Sequence, residues 1–255
     1  MRSGSDSPWV HVNKIGHVVI IPDGNRRWAK KKGLAAFLGH EKGAEKLQET
    51  LEAALELEIP YFTFWGSSLD NITKRPKEEV DFLFGVFEKY FKKLVASEKI
   101  YENEARISIL GRWRELFPEN LKNLFEEAME KTKNFRRHCL TFLMAYSGVD
   151  EMTNAIQGIA QLSAEGGSAT SGKTRNLKLE INPKLIKDNL WTNELPPVNL
   201  VIRTGGEPHW SAGFMMWDVS DAQLYFTETM WPDFGAEEFR KAVDNYSKTE
   251  RRFGQ

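Results

Sequence analysis

Five short apolar runs, at 17–21, 60–65, 106–110, 139–145 and 198–203, alternate with longer stretches that read as helix. In 40–58, Ala44, Leu47, Leu51, Ala54 and Leu55 fall on one face while Glu and Lys fill the other. In 78–98, Val80, Leu83, Phe84, Phe87, Tyr90, Phe91 and Leu94 do the same. Strand–helix alternation of this kind implies a parallel sheet covered on both sides. No internal repeat and no domain-scale break in composition interrupts it, and 255 residues suit one domain with a substantial core. The predicted fold is a single α/β domain with a central, mostly parallel sheet and flanking helices.

Two strand ends carry chemistry. The run His17 to Ile21 hands over through Pro22-Asp23-Gly24-Asn25-Arg26-Arg27 to a helix-forming segment. Outward-pointing N–H groups at such a junction suit a phosphate. Beside an anion, Asp23 finds its natural use in holding Mg²⁺, and Arg27 can grip phosphate oxygens through paired hydrogen bonds. On residue types alone, a turn with a solvated basic face explains the segment equally well. Near the C-terminus, Asn199 to Ile202 read as another buried strand, ending in Arg203-Thr204-Gly205-Gly206. That glycine-rich basic turn lets the backbone come close to an anion. Two such turns in one α/β domain face the same crevice, which suggests two phosphate-bearing groups side by side.

Residues 167–174, GSATSGKT, match the P-loop pattern letter for letter. A working P-loop follows a strand and opens a helix. Here Glu151 to Leu162 read as helix before it, and Arg175 to Leu179 read as extended after it. A flexible loop over 163–176 is the better reading.

Composition narrows the function classes. With 35 basic and 36 acidic residues the net charge is −1, so no overall basic field calls for nucleic acid. The single cysteine, Cys139, excludes a disulfide framework within the chain, suits a reducing, cytoplasmic compartment, and sits in an apolar run as a core thiol. No apolar stretch approaches the roughly 18 residues of a membrane span, and the segment 1–14 lacks an apolar signal core. A soluble protein is expected.

The strings DGNRRWAKKKG with Gly39-His40, then Arg75-Pro76-Lys77-Glu78-Glu79-Val80, VIRTGGE, LYFTETMWPDF and ERRFG occur in order from end to end. Together they resemble the cis-prenyltransferases, the undecaprenyl and dehydrodolichyl diphosphate synthase group. The resemblance implies an Mg²⁺-assisted transferase of isoprenoid biosynthesis. An allylic prenyl diphosphate loses its diphosphate, and the double bond of isopentenyl diphosphate attacks the resulting carbon. It implies catalytic roles for Asp23, Asn25 and His40, with Asp23 as the metal-associated acid. Gly24, Arg27 and Arg75 would hold the allylic diphosphate, Arg203 and Ser211 the acceptor's, and Trp28, Phe64 and Trp65 would border the hydrocarbon. It also implies a hydrophobic tunnel, which Phe82, Phe84, Phe87 and Phe91 could line or shorten, although ordinary core packing is the default for such a stripe. Catalysis by a homodimer, with the tail 246–255 completing a neighbour's site, follows from the same resemblance. An apolar product could keep the enzyme at a membrane surface.

Several positions depart from the family pattern. Arg26 replaces a glycine and adds charge at the allylic site, where it could compensate for the arginine missing at Ala36. The string from Trp65 to Lys74 replaces the usual FSSEN loop over the site. His209 stands where an arginine is expected before Ser211, and Gln223 stands in place of the metal-binding glutamate before Leu-Tyr-Phe. Gln223 is therefore a doubtful ligand, with Asp218 or Asp221 as stand-ins. Three readings stay open: chain elongation with isopentenyl diphosphate, transfer to an alcohol or a second allylic diphosphate, and a weakly active partner subunit of a heteromeric synthase.

Overall fold

The computed structural model describes residues 15–165 and 180–249. The expected N-terminal extension 1–14, most of the loop 163–176, and the tail beyond Thr249 lie outside the described residues. The chain runs β1 (His17–Ile21), α1 (Asn25–Lys31), α2 (Ala36–Glu56), β2 (Tyr61–Trp65), α3 (Leu69–Thr73), α4 (Lys77–Val95), α5 (Glu98–Glu102) and β3 (Ala105–Leu110). It continues through α6 (Trp113–Leu116), α7 (Glu119–Thr132), β4 (His138–Leu143), α8 (Gly148–Glu165), α9 (Pro183–Asn189), β5 (Leu200–Arg203), β6 (Gln223–Phe226) and α10 (Ala236–Lys248). Residues 163–165, assigned to a loop from sequence, are the last turn of α8.

The six strands form one sheet in the order β3-β4-β2-β1-β5-β6, and every pairing is parallel. Parallel strands with helices on both faces are buried on both sides, which is why β1, β4 and β5 read as unbroken apolar runs. Alternate residues of β1 serve different cores. Val18 and Ile20 join the cluster with Leu51, Phe62, Phe142 and Phe239, while Val19 and Ile21 join the one with Trp65, Tyr146 and Phe214. The edge strand β6 has only one neighbour, and its Leu224 and Phe226 are exposed.

Local chemistry sets the joints. Gly33, at φ 69°, ends α1 in the left-handed conformation that glycine adopts freely. Ser68 and Asn71 form a reciprocal cap that starts α3, and Asn182 with Pro183 starts α9. His17 is wholly buried; its Nδ1 donates to the Pro196 carbonyl at 2.9 Å, so its Nε2 accepts from the Thr63 hydroxyl at 2.8 Å. Cys139 is buried, as expected.

α1 and α2 cross so closely that a Cβ on Gly39 would sit 2.1 Å from the Asn25 carbonyl oxygen. Gly→Ala inside a helix ordinarily stabilises by about 1 kcal/mol. Here overpacking against backbone, typically about 1–3 kcal/mol, should reverse the sign. The Gly39→Ala variant is expected to unfold at lower urea than wild type, and an equal or higher midpoint would show that the crossing yields.

Candidate active site

β1 lies between β2 and β5, so the chain leaves it towards one half of the sheet and returns on the other side. Open α/β sheets bind ligands outside the carboxyl ends of their strands at such a reversal. Register puts Ile21 beside Arg203 there, and the two turns predicted from sequence meet. Arg203 Nη2 donates to Asp23 Oδ2 at 3.0 Å, and the Thr204 hydroxyl donates to the Asp23 carbonyl at 2.8 Å. Arg203 is only 4% exposed; its Nη1 donates to Ser211 Oγ at 2.8 Å and to the His209 carbonyl. The other Asp23 oxygen accepts from the Gly24 N–H at 2.6 Å and faces Arg27 at 3.4 Å. Arg27 also reaches Glu207 at 3.2 Å.

Gly24 has φ 103° and Gly205 φ 83°, both in the left-handed region. A Cβ at Gly205 would lie 2.8 Å from the Arg27 guanidinium. The Gly205-Gly206 turn works differently from its sequence reading. Both N–H groups already donate to carbonyls, of Thr229 and Thr227, at 2.8 Å. The turn therefore packs the end of β5 against the segment 227–229 that follows β6 and offers no backbone cradle.

A second polar group faces the first across the cleft. Glu79 binds Arg75 at 2.9 Å and lies 3.7 Å from both Arg26 and His40. His40 Nε2 is 3.3 Å from Arg75. Burial pushes the His40 pKa down to about 4, and the Arg75 charge adds to the shift while Glu79 opposes it. His40 is thus neutral near pH 7.

These groups line an open cleft of about 1340 Å³, bordered by β1, α1, α3 and the segment 209–212. Asn25, His40 and Leu83 also line a second, narrow cavity of about 130 Å³ between α2, α4 and the sheet. Its walls are apolar, with Leu47, Leu51, Phe87, Phe91, Phe142 and Trp231 among them. Asn25 stands at the junction. Its Nδ2 donates to the Pro22 carbonyl at 3.1 Å, while its buried Oδ1 has no partner.

A polyanion-sized cationic cleft opening into an apolar pocket is what the motifs imply, and comparison with known proteins agrees. The family model described as "Putative undecaprenyl diphosphate synthase" matches residues 21–254. The chain belongs to the cis-prenyltransferase family. An isoprenyl transferase of Thermotoga maritima is 39% identical over 93% of this chain and 96% of its own length. A tritrans,polycis-undecaprenyl-diphosphate synthase (geranylgeranyl-diphosphate specific) of Pyrococcus furiosus is 37% identical over 94% of this chain and 86% of its own. Among solved structures, lavandulyl diphosphate synthase from Lavandula x intermedia, in complex with dimethylallyl diphosphate, superposes with a TM-score of 0.86. It shares 28% identity and covers 95% of this chain and 99% of that one. This cis-prenyltransferase is thus a prenyl-transferring enzyme with the expected single-domain α/β fold, its sheet parallel throughout where a mostly parallel one was expected.

The structure brings together Asp23, Gly24, Asn25, Arg26, Arg27, His40, Arg75, Arg203, His209 and Ser211 around the cleft. Trp28 is elsewhere: its indole donates to Asp233 at 2.8 Å, Lys32 lies over its ring, and it borders neither cavity. Phe82 and Phe84 leave the apolar pocket too, packing on Phe37 and Phe117, whereas Phe87 and Phe91 line it. Phe64 lines the pocket as expected, but Trp65 borders the polar cleft against Phe214. Gln223 starts β6, beside Leu200, while the site lies beyond Arg203 at the other end of that pairing. Its amide faces Asn245 and Thr249 of the α10 end. Asp218 is buried and held by Lys187 and by the Thr192 hydroxyl at 2.6 Å, so it has no free oxygen to lend. Glu79 is the residue that sequence reasoning missed. It lay inside the quoted Arg-Pro motif: Arg75 sits just before the cap residue Pro76 and Glu79 in the first turn of α4, so the two pair across the helix start.

Among the described residues no cluster of three or more His, Cys, Asp or Glu could hold a metal alone. Asp23, 36% exposed at the cleft, fits the usual Mg²⁺ arrangement of one or two carboxylates completed by phosphate oxygens.

Stability should depend on two buried histidines. Burial also depresses the His17 pKa to about 4. Between the ordinary value near 6.5 and 4, the unfolded chain therefore binds more protons than the folded one. Stability is full above pH 6.5 and falls as pH drops towards 4, by about 3 kcal/mol from His17, with His40 acting in the same direction. Urea midpoints measured from pH 7 to 4 should show this slope, flattened in His17→Gln; an unchanged slope in the variant would remove His17 from the account.

Proposed function

We propose that the enzyme binds an allylic prenyl diphosphate with its diphosphate between Arg26, Arg27, His40 and Arg75 and its hydrocarbon in the narrow pocket. It then transfers the prenyl group to isopentenyl diphosphate held by Arg203 and Ser211. The observation that carries the reading is the junction at Asn25 and His40, where the cationic cleft opens into an apolar pocket. A diphosphate departing at that junction leaves a carbocation-like carbon beside apolar walls that exclude water. The arginines stabilise charge that develops on the leaving group. They are already oriented by Asp23, Glu79 and Glu207, so little reorganisation accompanies the reaction. Neutral His40 can donate to a diphosphate oxygen. When the double bond of isopentenyl diphosphate forms the new carbon–carbon bond, the proton it releases passes to the departing diphosphate, and Asn25 Oδ1, a buried acceptor without a partner, is placed to orient that transfer. Mg²⁺, which the family uses, would be held by Asp23 with the phosphates and would supply further charge stabilisation. The solved relative carries an allylic diphosphate, dimethylallyl diphosphate, which supports this class of donor.

A second acceptor reading has its own observation. His209, in the place of the family's arginine, spends its ring on Ser211 at 3.0 Å and Glu207 at 3.6 Å. Arg203 is then the principal cation for an acceptor diphosphate, so an alcohol or a second allylic diphosphate would lose fewer contacts. The homodimer belongs to this proposal as well; among the described residues the edge strand β6, with Leu224 and Phe226 exposed, is a face that a second copy could cover.

Mass spectrometry of products, with Mg²⁺ and allylic diphosphates offered with isopentenyl diphosphate, alone, or with polyols, separates the two readings. Products longer by five-carbon units support elongation, whereas prenylated alcohols or irregular condensation products overturn it. The Asp23→Asn variant keeps an acceptor for Arg203 but loses the charge. Its kcat should fall about 10²–10³-fold, and an undiminished kcat would exclude Asp23 from the chemistry.

A further inference from the structure

The α1–α2 turn carries an unbalanced surface beside the cleft. Most described lysines have a carboxylate within reach, as Lys42, Lys74, Lys99 and Lys131 have in Glu45, Asp70, Glu52 and Glu127; outside residues 30–32 the exception is Lys93, which lies over the Tyr90 ring. Lys30, Lys31 and Lys32 are consecutive, exposed and without any acidic partner among the described residues, Lys32 lying only over the Trp28 ring. Directly after them the chain exposes two large apolar side chains, Leu34 at 43% and Phe37 at 40%, and Phe37 extends its apolar surface by packing on Phe82. On α4, Glu78 lies one turn before Phe82, while Asp81 already holds Lys77. Lys30 and Leu34 also border the cleft, so this patch adjoins the opening through which an apolar product must leave.

We propose that the α1–α2 turn, residues 30–37, docks the enzyme on an anionic lipid bilayer. Unpaired lysines meet the negative headgroups, and Leu34 and Phe37 enter the boundary between headgroups and acyl chains. Lysine charge flanking exposed Leu and Phe is the composition that lies in a membrane interface, and each lysine near an anionic surface contributes about fivefold in binding. Docked this way, the cleft faces the bilayer, and a product with a long hydrocarbon tail passes into lipid without crossing water. The inference needs only an apolar product, and its readout is binding, so it stands or falls apart from the identity of the acceptor.

The test is vesicle flotation of the full chain with phosphatidylcholine alone or mixed with phosphatidylglycerol. Wild type should bind the mixed vesicles, release as salt screens the charge, and bind neutral vesicles weakly. Lys31→Glu with Lys32→Glu should lower binding at least about tenfold, Phe37→Ser several-fold, and the control pair Lys131→Glu with Lys133→Glu hardly at all. Turnover of a short, water-soluble allylic substrate without vesicles should be unchanged in the Lys31/Lys32 variant, which shows that it folds. No binding by wild type, equal binding to neutral vesicles, or indifference to the Lys31/Lys32 change would each overturn the proposal. So would a fall in oligomer mass in these variants, which would make the face a contact between copies.

Discussion

Everything at the cleft depends on one nearly buried arginine. Arg203 closes β5 at the point where the sheet order reverses, and a guanidinium there must be paired or its desolvation is not recovered. Asp23 supplies the counter-charge from the end of β1, while Ser211 and the His209 carbonyl take further N–H groups. One buried donor, Nε, is left without a partner. The arrangement fixes three chain segments against one another: the turn after β1, the end of β5 and the segment 209–211. Because these contacts run through side chains at the strand ends, the cleft is preformed by the pairing of β1 with β5. Loss of either partner would disturb the fold's seam as well as the chemistry.

Much of the fold was legible because burial on both sides leaves an unmistakable signal. Five of the six strands fall on the apolar runs, β3 and β4 starting one residue ahead of theirs, and α2 and α4 carry the stripes read from their spacing. The sixth strand was not legible as a strand. β6 is a short edge with one half-buried and one exposed face, and its Leu224 and Phe226 point outward. Nothing in four residues separates such a strand from a loop. Helix starts were also placed late: α2 begins at Ala36 because the crossing with α1, made possible by Gly39, holds residues that periodicity alone does not claim.

The site was legible where its residues sit on strand ends and much less where they sit on helices. Asp23 and Arg203 had to meet once β1 and β5 were neighbours. Trp28, by contrast, is one turn into α1, and a helix carries it round to Asp233. Phe82, Phe84, Phe87 and Phe91 share one helix, yet only the last two face the narrow pocket; Phe82 and Phe84 turn to Phe37 and Phe117. Gln223 was tied to the metal by motif position, but strand direction carries it to the far end of β6 from Asp23 within this chain. Hydrogen-bond accounting corrected the glycine turn, since N–H groups already donating to Thr227 and Thr229 cannot also cradle an anion.

The polar cleft and the apolar pocket make opposite demands, and a few small residues reconcile them. Charged groups work best where water is excluded, but a buried carboxylate or guanidinium is tolerated only among partners. The chain meets this by grouping Arg75, Glu79, Arg26 and His40 on one wall and Asp23, Arg27, Glu207 and Arg203 on the other. Between them Asn25 must reach the apolar side, and the space for it comes from Gly43. A Cβ there would lie 2.3 Å from Asn25 Oδ1 and 2.7 Å from the Trp231 ring. The Trp231 indole donates to the Gly43 carbonyl at 2.8 Å, so the glycine both admits Asn25 and anchors the pocket wall. One missing methyl thus lets a polar amide stand at the mouth of a hydrocarbon pocket, which is the geometry that placing a carbocation beside a departing diphosphate requires.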